Sequence, residues 1–112
     1  MTTSHATVAN VNELAPELIE DAKQHHARRT ARTLTAGTSQ RATLIGMAAD
    51  AELAKHDSPN AATVHVITGR VRLYTADTEW TLSAGEIVTV PVERHAVHAV
   101  EDSAILLTVA LR

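Results

Sequence analysis

Between residues 30 and 111, this 112-residue chain is a series of short segments rich in β-branched residues and separated by turn signals. The segment Arg70 to Tyr74 is the clearest, because apolar and charged residues alternate with the two-residue period of a strand. Turn residues recur between such segments, as at Gly69 and at Gly85. Many short strands bounded by turns are typical of an all-β sandwich or barrel.

The same pattern predicts where the strands lie. They are expected over residues 30–34, 41–47, 63–67, 70–74, 79–82, 87–90, 95–100 and 104–111. Residues 50–55 are interpreted as a short connector. Within the 70–74 strand, Val71 and Leu73 are expected to point inward, and Arg70 and Arg72 outward.

One amphipathic helix is predicted before the strands, over residues 13–26. Leu14 and Leu18 recur at helical spacing within an apolar stripe. Asn12 can cap the helix, and Pro16 is tolerated only in a first turn, so the helix is predicted to start between these two residues. We expect the helix to pack on the outside of a sheet or against a partner subunit.

Length and composition favour a single domain. Its N-terminal part, residues 1–34, holds a tail and the helix that lead into the first strand, and residues 35–112 form the β-domain. The net charge of −3 gives no sign of a nucleic-acid partner, and the absence of cysteine excludes disulfides and thiolate sites. No apolar run approaches about 18 residues and no signal-peptide pattern begins the chain, which favours a cytoplasmic protein without a membrane partner.

Two segments carry residues at informative spacing. The first runs from His56 to Gly69, and the second contains Gly85, Pro91 and His95. These residues resemble the two motifs of the cupin superfamily, and the likeness covers about residues 41–111. The resemblance implies an RmlC-like jelly-roll β-barrel of two antiparallel sheets with a pocket between them. It is strongest to small single-domain bacterial cupins with an N-terminal helix, and it implies a homodimer.

The resemblance also implies where a metal would bind. A typical cupin centre holds Fe, Mn, Ni, Zn or Cu with three imidazoles and one carboxylate. His56 and His95 fall at two of these ligand positions. Ser58 and Ala62 fall where a histidine and a glutamate are expected, so half of the set is missing. A catalytic zinc site normally has three protein ligands, and further ligands would have to come from elsewhere. The candidates are Asp57, His65 and His98.

Strand alternation disfavours two of these candidates. Ala62, Val64 and Val66 share the face expected to look into the barrel, so His65 should point out. By the same parity, His98 should point away from the face of His95. His56 and His95 therefore remain the core metal candidates, with His65 and His98 less favoured.

Three classes of function are open for these residues. The favoured one is binding of a small molecule in the barrel pocket, with no catalytic residue assigned. The predicted pocket residues are Ile45, Met47, His56, Val64, Val66 and His95. The alternative is a divalent-metal-dependent cupin enzyme of the dioxygenase or isomerase type, with His56 and His95 as ligands. The sequence leaves open whether the protein is catalytic. A sensor subunit acting through protein contacts is a third class.

Overall fold

The computed structural model describes residues 7–56 and 61–111, except for the side chains of residues 55 and 56. In this part of the chain, one helix precedes nine strands. The elements are α1 (Val11–Gln24), β1 (Arg29–Ala36), β2 (Gln40–Met47), β3 (Glu52–His56), β4 (Ala62–Thr68), β5 (Arg70–Tyr74), β6 (Glu79–Ser83), β7 (Ile87–Thr89), β8 (His95–Ala99) and β9 (Ser103–Ala110).

The strands form two antiparallel sheets. The five-stranded sheet has the order β1-β2-β9-β4-β7, and the four-stranded sheet has the order β3-β8-β5-β6. The predicted class, all-β with two antiparallel sheets and one helix, is confirmed at this level. The alternation predicted for β5 is confirmed as well, since Val71 and Leu73 are fully buried and Arg70 is exposed.

One strand was missed by the sequence prediction. Residues 50–55 were expected to be a connector, but Glu52–His56 forms β3 and pairs antiparallel with β8. The physical reason is composition, because Glu, Ala and Lys have low strand propensity. Pairing with β8 and half-burial of Leu53 outweigh that propensity.

The first strand is longer than predicted and contains an irregularity. β1 runs from Arg29 to Ala36 and pairs with β2, with a register shift between Thr33 and Thr35. The division between residues 1–34 and 35–112 therefore falls inside β1, at this shift. β1 is an edge strand of the five-stranded sheet.

The helix begins earlier than the sequence suggested. Asn10, not Asn12, is the cap, and its side-chain oxygen accepts hydrogen bonds from the backbone N–H groups of Asn12 and Glu13 at 3.0 and 3.2 Å. Pro16 consequently lies in the second turn, where its ring is exposed. The cap satisfies two orphan donors at the start of the helix.

The helix packs on the outer face of the five-stranded sheet, as predicted. Its buried residues are Ala15, Leu18, Ile19 and Ala22. They pack against Leu44 and Ala104 in a second core cluster. A side chain at Gly46 would collide with the backbone of the helix at Leu18, so glycine is required there. At 14 residues, α1 is too short to cross a bilayer, and it is the one helix in the described part of the chain.

Candidate functional site between the two sheets

The cross-strand register identifies the side chains that face each other across the two sheets. Residues directly opposite in an antiparallel pair lie on the same face. In the five-stranded sheet, Ile45, Ile105 and Val66 are register partners, and all belong to the main core. In the four-stranded sheet, Val97 and Leu73 are partners in the same core. These inner faces bound the space between the sheets, called the intersheet space below.

One end of the intersheet space, called the closed end, is tightly packed. Its inner side chains Val71 and Ile105 are fully buried. Gly69 turns the chain from one sheet to the other with φ +86°, and a methyl there would lie against the backbone of Asp102 and the hydroxyl of Ser103. The closed end therefore has no room for a ligand.

The opposite end, called the open end, lies where β3 leads towards β4, and it is filled less completely. Along the inner face of β9, Ile105 is fully buried, whereas Leu107 and Val109 are only half-buried. β2 shows the same gradient, because Thr43 is half-buried and Arg41 is exposed. Apolar and polar surface thus becomes accessible between the sheets at this end.

The chain's one tryptophan lies on the inner face of the four-stranded sheet. Trp80 is the register partner of Leu73, which is fully buried. Trp80 itself is 36% exposed, because β6 is an edge strand. Leu53 and Val88, on other strands, are partly buried and pack against the same core. Trp80 is thus placed to report on any molecule that enters the intersheet space.

His95 begins β8 at the open end and is 3% exposed. Its ring Nδ1 lies 2.9 Å from the carbonyl oxygen of Glu93. Because a carbonyl oxygen only accepts, Nδ1 donates this hydrogen bond, and in the neutral ring Nε2 carries the lone pair. Such a nitrogen can accept a hydrogen bond or bind a metal.

The register of β3 and β8 sets position 56 opposite position 95, after an irregularity that follows Leu53. Residues opposite each other in an antiparallel pair have Cα atoms about 4.5–5.5 Å apart. The backbone therefore brings the two predicted histidine positions together. The side chain of His56 lies outside the described part of the chain, as do Asp57 and Ser58. The joint role of His56 and His95 stays a prediction.

The four apolar residues predicted for the pocket lie in one buried cluster. They are Ile45, Met47, Val64 and Val66, which are 7%, 0%, 2% and 0% exposed. They form the packed floor of the intersheet space. Accessible surface lies nearer the open end, at residues that were not among the predicted pocket set.

The structure places the less favoured metal candidates on outer faces. On β4, Val64 and Val66 are buried, and His65 is half-buried on the opposite face. His98 is on the outer face of the four-stranded sheet, where its Nε2 lies 3.2 Å from an Asp50 carboxylate oxygen. Its Nδ1 is buried without a hydrogen-bond partner among the described residues. Neither ring faces the intersheet space.

The described side chains do not make up a cupin metal centre. Among them there is no group of three or more His, Asp or Glu that could hold an ion. Ala62, at the position where the resemblance implies a glutamate, is a buried methyl of the core. A centre that includes His95 would need ligands from outside the described side chains.

A polar cluster on the outer face of the four-stranded sheet was not predicted. The Tyr74 hydroxyl donates a hydrogen bond to Glu52, which raises the pKa of that hydroxyl. The Arg72 guanidinium lies 4.3 Å from the centre of the Tyr74 ring and 3.5 Å from a Glu79 carboxylate oxygen. A cavity of about 180 Å³ lies beside these residues. The groups partner one another, so we interpret the cluster as part of the sheet's surface structure.

A cavity of about 260 Å³ lies on the outer face of the five-stranded sheet. Three of its lining residues, Thr63, Thr89 and Thr108, are register partners in one row across β7, β4 and β9. Thr63 precedes buried Val64 on β4 and therefore lies on the outer face, which is the face that the helix covers. Thr89 and Thr108, its register partners, lie on the same face. The lining also includes Ala62 and Val109 of the inner face, so the groove reaches the open end of the intersheet space, although it does not include His95.

Comparison with known proteins gives matches of structure only. The chain matches no family model, and no curated protein matches it. It is similar to the crystal structure of a conserved protein of unknown function from Streptococcus pyogenes, with a TM-score of 0.73 and 21% identity over 98% of this chain and 91% of that one.

Two further similar structures are described as cupins. A cupin superfamily protein from Desulfitobacterium hafniense has a TM-score of 0.70 and 13% identity over 75% of this chain and 78% of its own. An RmlC-like cupin from Desulfovibrio desulfuricans has a TM-score of 0.66 and 18% identity over 99% of this chain and 98% of its own. At such identities the likeness concerns the fold rather than activity. The chain therefore has the fold of the cupin superfamily.

Proposed function

We propose that this protein is a small cupin whose sheets close as a jelly-roll barrel and bind a small molecule in the intersheet space, entering at the open end. The observation that carries this proposal is the burial gradient along the inner faces. Ile105 is fully buried at the closed end, whereas Leu107 and Val109 retain accessible surface at the open end. Ligand sites are concave and mostly apolar, with a few polar groups that orient the ligand.

The polar groups at the open end suit orientation rather than covalent chemistry. His95 is held by its hydrogen bond to the Glu93 carbonyl, and Thr43 offers a hydroxyl on the inner face of β2. The Thr43 hydroxyl can form hydrogen bonds with a bound molecule, and His95 borders the same end of the space. Reversible binding is therefore the function that these residues support best.

The test uses Trp80 as an internal probe, because it is the chain's one tryptophan. We expect titration with 1-octanol to change the Trp80 emission saturably and to raise the melting temperature with the logarithm of probe concentration. The variant Leu107→Phe should weaken binding by filling the opening.

A matched control adds the same ring elsewhere. Ile87 is 62% exposed and lies opposite half-buried His65, on the outer face. Ile87→Phe should therefore leave octanol binding unchanged. Octanol binding that Leu107→Phe and Ile87→Phe affect equally, or no binding at all, would refute the proposal.

The alternative function, a divalent-metal-dependent enzyme, is favoured by one observation, the register pairing of positions 56 and 95. It predicts bound Fe, Mn, Ni, Zn or Cu in protein purified without a histidine tag. His95→Ala should then abolish metal-dependent thermal stabilisation, whereas His98→Ala, on the outer face, should preserve it. A metal-free protein whose melting temperature none of these ions changes would exclude this function.

We also propose that the protein is a homodimer. The edge strand β1 supports this, since it is eight residues long and pairs with β2 on one side only in the described structure. Its inner-face residues Ala31 and Thr33 are exposed, so a second copy could cover them. A long exposed edge strand is a template for pairing with another chain. A monomeric mass in sedimentation at micromolar concentration would overturn this proposal.

A further inference from the structure

The inner faces differ from the rest of the molecule in the sign of their charge. The chain as a whole is acidic, with 13 Asp and Glu against 10 Lys and Arg. Among the described strand residues, however, the register puts no Asp or Glu on the faces that bound the intersheet space. Among the residues whose side chains are described, the permanently charged ones on these faces are Arg29 and Arg41, which are register partners of Met47 and Val109.

The two arginines have different surroundings. Arg29 lies near the closed end, where its guanidinium donates a hydrogen bond to the backbone oxygen of Glu52 at 3.3 Å. Arg41 lies at the open end, in the same cross-strand row as Val109 and Ala62. It is exposed and forms no ion pair with any carboxylate in the described part of the chain. Of these two arginines, Arg41 is therefore the one whose guanidinium is available to bind an anion.

The neighbouring inner-face groups set the rest of the ligand's chemistry. Leu107 and Val109 provide apolar surface one and two rows away from the closed-end core, and Thr43 provides a hydroxyl. The loop before β8 carries Glu93 and Arg94, both exposed, whose opposite charges balance. The inner faces thus present an apolar surface with one cationic end.

We propose that the ligand is a small aliphatic carboxylate, with its hydrocarbon chain in the intersheet space and its carboxylate at Arg41. This inference rests on the proposed function and adds the chemical class of the ligand. A guanidinium matches the geometry of a carboxylate and donates two parallel hydrogen bonds to it. A ligand with an amine at that end would meet Arg41 with like charge.

The experiment compares three probes of one chain length, octanoate, 1-octanol and octylammonium, with Trp80 emission and melting temperature as readouts. We expect octanoate to bind most tightly and octylammonium least. Arg41→Gln should weaken octanoate binding by about 5-fold, the scale of an exposed ion pair, and leave octanol binding unchanged. The preference for octanoate over octanol should shrink in 0.5 M salt because exposed charges are screened.

The matched control is Arg32→Gln. Arg32 is also exposed, but it is the register partner of Leu44, under the helix, and so lies on the outer face. The Arg32→Gln variant should bind all three probes with the same affinity as the unchanged protein. Equal affinity for octanoate and octanol, or an unaltered octanoate affinity in Arg41→Gln, overturns the carboxylate inference while the proposed function stands. If none of the three probes binds, the proposed function itself fails.

Discussion

The two ends of the intersheet space differ in what determines their structure. At the closed end, the backbone makes a tight turn at Gly69, and the hydroxyl of fully buried Ser103 accepts a hydrogen bond from the Arg70 N–H at 3.0 Å. At the open end, Arg41 is exposed, and Leu107 and Val109 are only half-buried. The same pair of sheets is thus a packed core at one end and a candidate site at the other.

This difference explains why the fold is easier to identify than the function. The closed end depends on backbone conformation and apolar packing, which tolerate extensive sequence change when volume is kept. The open end depends on particular side chains. Structures under 25% identical to this chain share its fold. Such structures therefore indicate how the closed end is packed, but they say little about the side chains of the open end.

The largest expected difference between the ends is in core truncation. Ile105→Ala should lower the free energy of unfolding by about 4 kcal/mol, because it leaves a cavity around a fully buried position. Val109→Ala, on the same strand and face but half-buried, should cost only about 1 kcal/mol. Urea unfolding measures both, and equal losses would contradict the distinction between the two ends.

The two motif glycines should also differ. Both have positive φ, +86° at Gly69 and +91° at Gly85. A methyl at Gly69 would collide with Asp102 and Ser103, whereas one at Gly85 meets nothing within 4 Å. We expect Gly69→Ala to cost about 3 kcal/mol, from strain plus collision, and Gly85→Ala about 1 kcal/mol, from strain alone. Equal melting temperatures for the two variants would show that the closed end is not tightly packed.

A smaller effect is expected from removing a hydroxyl at each end. Ser103→Ala leaves the Arg70 N–H without its hydrogen bond and should cost about 2 kcal/mol. Thr43→Ala, at the half-buried end of β2, should cost less than about 0.5 kcal/mol. Thermal unfolding of the two variants tests this order. A larger loss of stability in Thr43→Ala than in Ser103→Ala would contradict it.

The smallest expected effect is a pH dependence at the closed end. The Asp102 carboxylate accepts a hydrogen bond from the Ala49 N–H at 2.8 Å and lies 3.1 Å from the Lys23 ammonium, and together these hold its pKa below 3.8. Because the folded-state pKa is depressed, the stabilisation is present above pH 3.8 and is lost as pH falls through the folded-state pKa. The pair is partly exposed, so solvent screens the attraction and the effect should be small.

The measurement is the melting temperature of the unchanged protein and of Asp102→Asn at neutral pH and at successively lower pH below 3.8. The stability advantage of the unchanged protein should shrink towards acid. Glu101→Gln removes a neighbouring exposed carboxylate and serves as the control. An advantage that stays constant with pH would contradict the role of Asp102.

The sequence predicted most strands because their periodicity is local. β5 and β4 alternate clearly, and their inward residues follow from parity alone. β3 was missed because its stability comes from pairing with β8, a contact distant in sequence. The cap at Asn10 was missed because two asparagines, Asn10 and Asn12, can both cap, and the choice depends on how the helix packs on the sheet.

The site was predicted less completely for a related reason. The apolar pocket residues were identified correctly as inward-facing, but periodicity does not tell which end of a strand is covered. The alternation that groups Thr43 with Ile45 and Met47 also extends to Arg41, and this signal was present in the sequence. Its meaning appears only when the register shows that β2 and β9 run past the packed core.

We propose that the open end, rather than the outer groove, binds a small molecule. The most direct test is to map backbone and side-chain NMR shifts of the protein during titration with 1-octanol. We predict saturable shifts at the Trp80 indole, Thr43 and Leu107, none of which lines the outer groove. Shifts confined to Thr63, Thr89 and Thr108, the row that lines the outer groove, would contradict it.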